Sequence, residues 1–233
     1  MDNILLIETS TALCSVALAQ DGVVTSYRES SAPKAHASLT AVFIQEMLAE
    51  RGLTLADCDA VCVSKGPGSY TGLRVGVSTA KGLCFGSGKP LLAVGTLDTL
   101  VAQANSVISS EVEKSKPFRY IIPMIDARRM EVYTAVFENG AQITETSPMI
   151  IDETSFAEYL EQGPCLFIGD GAGKCADVIK HPNAQFCQCW PKASAMLDPA
   201  MAAYKEKRFE DVAYFEPFYL KEFVATVSKK KLW

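Results

Sequence analysis

Lys65-Gly66-Pro67-Gly68-Ser69-Tyr70-Thr71-Gly72-Leu73-Arg74 follows directly on an apolar run, Ala60-Val61-Cys62-Val63, and leads into a long helical pattern. A strand, a sharp Gly-rich turn and a helix start in that order often cradle a phosphate, because the turn and the helix N-terminus expose backbone N–H groups. The spacing argues otherwise here. It is not G-x-x-x-x-G-K-[ST], and Gly66-x-Gly68-x-x-x-Gly72 is not G-x-G-x-x-G. Small residues continue into the helix: Gly68, Gly72, Gly76 and Ala80 recur every four positions, which puts them on one helical face. A glycine inside a helix costs about 1 kcal/mol relative to alanine, so Gly72 and Gly76 together cost about 2 kcal/mol that something must offset. A smooth face against which another helix packs closely would do so, whether that helix belongs to the same lobe or to another subunit.

Outward from this turn the chain reads as α/β. Asn3 to Thr9 is a buried strand ending in polar residues, Cys14 to Ala19 a second, and Asp21-Gly22 a hairpin signal into a third over Val23 to Glu29. Leu39, Val42, Phe43 and Met47 mark a helix over Ala37 to Arg51, stopped by Gly52. Asp59 to Ser64 is the strand before the turn, and Tyr70 to Phe85 the helix after it. Pro90 to Val94 and Thr96 to Ala104 add a strand and a short helix. The polar stretch Asn105 to Lys116 reads as a lobe boundary, dividing the chain into residues 1–104 and 105–233. A second meander opens the second lobe: strands over Pro117 to Ile125 and Glu131 to Phe137, a turn at Glu138-Asn139-Gly140, and Ala141 to Thr144. Thr154 to Glu161 is a helix, Cys165 to Ile168 a strand, and Ser194 to Lys207 a last helix. The repeated opening implies duplicated lobes, each a mixed sheet covered by helices, with the second reduced.

The composition is that of an ordinary globular chain of 233 residues. A net charge of −5 argues against a protein that grips nucleic acid by itself. The start, Met1-Asp2-Asn3, is acidic, and Ile4 to Ile7 is too short for a signal-peptide core. No stretch approaches the ~20 apolar residues of a membrane span. A cytoplasmic protein without membrane contact is expected. Most of the eight cysteines lie in apolar runs and read as reduced core thiols. Cys187-Gln188-Cys189 lies on a strand, where neighbouring side chains need not converge, and no zinc spacing is present.

Few residues offer chemistry. His36 and His181 are far apart, so no Ser-His-Asp set can be argued. Gly169-Asp170-Gly171-Ala172-Gly173-Lys174-Cys175 follows a strand but reads as a structural turn, since it lacks the first glycine and the Ser/Thr of a P-loop. Glu8, at the end of the first strand, and Asp126, at the end of Ile121 to Ile125, are better placed, with capped turns as the plain alternative.

Ile7-Glu8-Thr9-Ser10, the run Lys65 to Arg74, Asp126-Ala-Arg-Arg-x-Glu-Val-Tyr133 and Glu216-Pro-Phe-Tyr-Leu220 together resemble the TsaB family, over nearly the whole chain. The resemblance implies a two-lobed actin-like ATPase fold. It implies work beside TsaD, the related catalytic subunit, and TsaE, an ATPase, in transferring a threonylcarbamoyl group to the adenosine beside a tRNA anticodon. TsaB-like helices pack with those of TsaD, or form a homodimer alone. The resemblance therefore implies an interface over Gly68, Tyr70, Gly72, Leu73, Gly76, Thr79, Ala80 and Leu83 with His36, Leu39 and Phe43. It leaves Glu8, Thr9, Ser10 and Asp126 as a vestigial nucleotide site. The catalytic relative's His-x-x-x-His metal motif falls on Thr96-Leu97-Asp98-Thr99-Leu100, and its Gly-rich phosphate turn on Asp126-Ala127-Arg128-Arg129. Neither pattern is kept. A non-catalytic subunit is thus expected, with no intrinsic cofactor or metal, ATP and metal belonging to the partners, and tRNA met only indirectly. The competing reading is an independent nucleotide-binding hydrolase or peptidase.

Overall fold

In the computed structural model, residues 2–111 and 118–221 are described, with side-chain surroundings given outside 105–111. The Lys229-Lys230-Lys231 tail and the end of the polar stretch before Pro117 lie outside them.

The first lobe holds β1 (Asn3–Glu8), β2 (Cys14–Gln20), β3 (Val23–Ser30), α1 (Ala35–Glu50), β4 (Ala60–Gly66), α2 (Tyr70–Ser87), β5 (Leu91–Gly95) and α3 (Thr96–Glu111). Its sheet runs β3-β2-β1-β4-β5. The first three strands form the expected meander, and β4 and β5 add in parallel to β1. The second lobe holds β6 (Tyr120–Asp126), β7 (Glu131–Thr134), β8 (Phe137–Glu138), β9 (Ala141–Gln142), β10 (Ser147–Ile150), α4 (Ala157–Gln162), β11 (Cys165–Gly169), α5 (Ala172–Cys175) and β12 (Ala184–Gln188). Its main sheet path, β10-β7-β6-β11-β12, repeats the first: an antiparallel meander, then two parallel strands. This duplication is the two-lobed actin-like architecture.

Alternation along β1 explains the layers. Leu5 and Ile7 point to a core shared with Ile44 and Met47 of α1 and with Val77 and Ala80 of α2. Ile4 and Leu6 point to the opposite face. There they meet Ala193 and Met196 of a 3-10 turn, together with Ala200 and Ala203 of α6 (Leu197–Lys205). A strand covered on both faces reads as a continuous apolar run, as Ile4 to Ile7 does here between Asn3 and Glu8.

Three expectations change. The helix placed at Thr96 to Ala104 continues to Glu111, so the lobe boundary at 104/105 falls inside a helix. The side chains of α3 up to Ala104 bridge the lobes, packing Leu97, Leu100 and Val101 against Ile125, Phe137, Leu166 and Ile168. The division into 1–104 and 105–233 also fails at the far end, because α6 returns to cover the first sheet. Finally, the strand over Glu131 to Phe137 is two: β7 pairs with Met124 to Asp126, whereas β8 pairs with Tyr120 and Ile121.

From Glu210 onward the chain forms a strap. Glu210 N–H donates to the Leu91 carbonyl on edge strand β5 (2.8 Å). Lys81 of α2 donates to the carbonyls of Ala213 (3.1 Å) and Phe215 (3.0 Å). Phe218 N–H donates to the Lys65 carbonyl (2.7 Å), and Lys221 pairs with Glu131 across in the second lobe.

Candidate functional site

The turn after β4 is engaged on every side by its own chain. Ser69 caps α2, its Oγ accepting from Gly72 N–H (3.3 Å), while its own N–H donates to the Ser10 carbonyl (2.6 Å). Gly66 has φ +101°, a conformation open to glycine, and a Cβ there would lie 2.9 Å from the Phe218 carbonyl oxygen. A Cβ on Gly68 would lie 2.8 Å from Ser10 Cβ. The turn thus clamps the β1–β2 loop on one side and the strap on the other.

The glycine face of α2 has the same destination. A Cβ on Gly72 would strike the Thr9 carbonyl oxygen, and one on Gly76 the Thr9 hydroxyl. The expectation that these glycines receive another helix is therefore corrected: they receive the loop that follows β1. Leu73 and Ala80 are buried in the same lobe. The Tyr70 ring packs against Tyr219 of the strap, centroids 4.9 Å apart and planes tilted by 38°, and His36 Nε2–H donates to the Thr11 carbonyl (2.8 Å). Gly68, Leu39, Phe43, Thr79 and Leu83 are half-buried, with Phe43 and Leu83 resting on the core. Most of the expected interface is thus taken up internally.

The face that α2 turns to solvent is the other one. Thr71, Ser78, Gly82, Phe85 and Gly86 are exposed and Val75 is half-buried. Nothing lies within 4 Å of a Cβ built on Gly82 or Gly86, and the Phe85 side chain is 86% exposed. Val42 of the neighbouring α1 is 41% exposed. Sequence reasoning passed over this stripe because the four-residue glycine series hid it. Its signal was the 4-3-4-3 spacing of Thr71, Val75, Ser78, Gly82 and Phe85.

Between the lobes lies a cleft of about 680 Å³, with Ser10 on one wall and Asp126 on the other. Glu8 and Thr9 lie beneath its floor, fully buried. Glu8 Oε1 accepts from Ser10 N–H (2.6 Å), while Glu8 Oε2 and the Thr9, Ser10 and Thr11 hydroxyls have no protein partner. Burial pushes the Glu8 carboxyl up to about 7, against the opposing pull of the Ser10 and Ser64 side chains and nearby amides. On the far wall the groups a phosphate would need are committed. Arg128 N–H donates to Asp126 Oδ1 (2.9 Å), and Lys174 Nζ binds Asp126 and the carbonyls of Arg129 (2.7 Å) and Glu131 (2.6 Å). Asp170 accepts from Asp126 N–H (2.9 Å), and burial raises its carboxyl to about 6. Of the four expected residues, Ser10 and Asp126 line the cleft, whereas Glu8 and Thr9 are buried and do not. The Asp126 and Asp170 carboxyls among the cleft's lining disfavour a nucleotide polyphosphate on that wall.

The position corresponding to the metal motif is likewise used internally. Thr96 Oγ1 hydrogen-bonds Ser64 Oγ (3.0 Å), and Thr99 Oγ1 donates to the Gly95 carbonyl (3.1 Å). His181, the other histidine, accepts at Nδ1 from Asn183 N–H (3.2 Å).

Two lobes of matching topology around a central cleft, with Asp126 and Asp170 among its lining, define an actin-like protein. Sequence relatives sharpen this. Residues 15–214 match the family model described as TsaD, tRNA N6-adenosine threonylcarbamoyltransferase. The chain is 32% identical to the tRNA threonylcarbamoyladenosine biosynthesis protein TsaB of Escherichia coli over 95% of its length and 96% of that protein. It is 28% identical to the Bacillus subtilis TsaB over 94% and 93%. Against the transferase of Maricaulis maris, the match covers 45% of this chain and 26% of that one, at 32% identity. The crystal structure of YeaZ from Pseudomonas aeruginosa aligns with a TM-score of 0.79 and 26% identity, covering 94% of this chain and all of that one. The chain belongs to the TsaB family.

Proposed function

We propose that this chain is the non-catalytic partner subunit of a TsaD-type threonylcarbamoyltransferase, docking it through the outward face of α2 and the adjoining part of α1. Its family membership puts it in the biosynthesis of tRNA threonylcarbamoyladenosine. The observation that carries the docking role is the unpartnered α2 stripe: Phe85 stands out of solvent-facing ground made smooth by Gly82 and Gly86. Small residues allow a partner helix to approach closely, and an exposed aromatic gives it an anchor. The same face serves a homodimer when the chain is alone. ATP and metal then belong to the TsaD- and TsaE-type partners, and tRNA is met only through the complex. Support for a non-catalytic role comes from the cleft, whose Asp126 and Asp170 carboxyls disfavour phosphate, and from Thr96 and Leu100 at the two ligand positions of the metal motif, the first hydrogen-bonded to Ser64 and the second fully buried. The hydrolase or peptidase alternative needs a base beside a nucleophile. His36 Nε2 is instead held by a backbone carbonyl.

The test is reconstitution with purified TsaD- and TsaE-type proteins and tRNA. Modification is expected to require this chain, and Phe85→Glu is expected to abolish both association on size exclusion and modification while leaving the melting temperature within about 2 °C, as for an exposed substitution. Full modification without the chain, or undiminished association of Phe85→Glu, would remove the docking assignment.

A further inference from the structure

Three aromatic residues of the strap, Tyr214, Phe215 and Phe218, line a groove of about 820 Å³. Lys65 at the end of β4, Leu97 at the start of α3 and Gln142 of the second lobe line it too. The Tyr214 and Phe218 rings stand well out, at 84% and 45% exposure. Asp98, Glu145, Glu210 and Glu216 bring carboxylates to the same lining, where Lys65 supplies the ammonium. Among the described residues, no ion pair ties up any of these four carboxylates. The strap is held in place along its length, by Leu91 at Glu210, by Lys81 at Ala213 and Phe215, and by Lys65 at Phe218. None of the residues of the exposed α2 stripe lines the groove, so the two surfaces are separate.

We propose that this groove receives an arginine-bearing basic segment of a partner protein. A guanidinium suits both kinds of lining. It is planar and stacks on aromatic faces, and its fork of N–H donors matches carboxylate geometry. An ammonium is a compact, strongly hydrated point charge and stacks less well. An acidic segment or a nucleic acid would be repelled by the same carboxylates. Unpaired like charges gathered in one groove repel one another, so an entering cation relieves that repulsion as well as forming new pairs. The anchored strap leaves little ordering to be lost on binding. The chain's own basic residues beyond the strap fit less well. Lys221 is paired with Glu131 in the second lobe, and Lys229, Lys230 and Lys231 carry ammonium groups alone.

The test titrates the full chain with a fluorescein-labelled Gly-Arg-Gly-Arg-Gly peptide and with its lysine and glutamate counterparts, read by fluorescence anisotropy. Saturable binding of the arginine peptide is expected, weakening as salt is raised, with the lysine peptide several-fold weaker and the glutamate peptide unbound. Glu210→Gln combined with Glu216→Gln should weaken it about 5–10-fold, and Tyr214→Ser about 3–10-fold. Glu158→Gln combined with Glu161→Gln, at exposed positions of α4 that do not line the groove, should leave it unchanged. Circular dichroism on every variant separates loss of the groove from loss of the fold. Amide NMR shifts on adding the arginine peptide should map to Glu210 through Phe218 and to Gln142 through Thr146. Absence of binding, equal affinity for the lysine peptide, an equal loss in the α4 variant, or shifts mapping elsewhere would each overturn the site. Binding seen only after residues 222–233 are removed would give the groove to the chain's own lysine tail and overturn a partner segment.

Discussion

Alanine at Gly72 and alanine at Gly82 are the same chemical change on the same helix, and the structure gives them opposite signs. At Gly82 nothing lies within 4 Å of the new methyl. There the change recovers only the helix propensity and unfolded-state entropy of a glycine, stabilising by about 0.5–1 kcal/mol. At Gly72 the methyl would sit 2.1 Å from the Thr9 carbonyl oxygen, about 1.4 Å inside an optimal separation near 3.5 Å. A backbone oxygen cannot be cleared by a rotamer change. The loop carrying it is buried and is tied down by Ser69 N–H on the Ser10 carbonyl and Ser10 N–H on Glu8. Overpacking of this kind costs about 1–3 kcal/mol, and the propensity gain in the first helical turn offsets only part of it. A net loss of about 1–2 kcal/mol follows for Gly72→Ala. For a chain of this size, melting should fall by roughly 2–8 °C for Gly72→Ala and rise by roughly 1–4 °C for Gly82→Ala. Differential scanning calorimetry at two protein concentrations separates folding from dimer effects, which make melting concentration-dependent. A rise in melting temperature for Gly72→Ala would refute the packing of the glycine face on the Thr9 loop.

The remaining predictions concern the buried carboxyl and the strap. The folded Glu8 carboxyl lies near 7 against an ordinary value of 4.5, so the protonated form is favoured by folding. Its stabilising contribution is complete below about pH 4.5 and is lost as pH rises through about 7, amounting to roughly 3 kcal/mol. Glu8→Gln keeps the acceptor for Ser10 N–H and removes the titration. The stability difference, variant minus wild type, should climb between pH 4.5 and 7 in urea titrations, and a flat difference would contradict a buried, titrating Glu8. Lys81→Met deletes two charge-assisted bonds to the strap carbonyls at a partly exposed position, worth about 1–2 kcal/mol together, so opening of the strap should rise about 5–30-fold. Chymotrypsin cleavage at the exposed Tyr214 reads this directly, and an unchanged cleavage rate would show that Lys81 does not hold the strap.

Much of the molecule was legible along the chain because the determining signals are local. The hairpin at Asp21-Gly22 and the strand–turn–helix at Lys65 to Arg74 stand as read, whereas the second meander closes on β10 in place of the strand expected over Ala141 to Thr144. Each depends on neighbours a few residues away, through turn chemistry and side-chain period. The duplicated lobes and the family follow from those same segments. Of the residues that sequence singled out at strand ends, Ser10 and Asp126 line the cleft, while Glu8 and Thr9 are buried.

What tertiary structure alone decided is which partner each surface meets. The period of α2 shows that Gly72 and Gly76 share a face, but periodicity contains no information about what lies opposite. Thr9, more than sixty residues earlier, occupies that place, and the stripe through Gly82 and Phe85 faces solvent. Likewise α6 returns to the first sheet because Ile4 and Leu6 need cover on their second face, a demand visible only once the sheet exists. Local preferences set the elements of this protein, whereas contacts distant in sequence set which of their faces are spent on the fold and which remain for function.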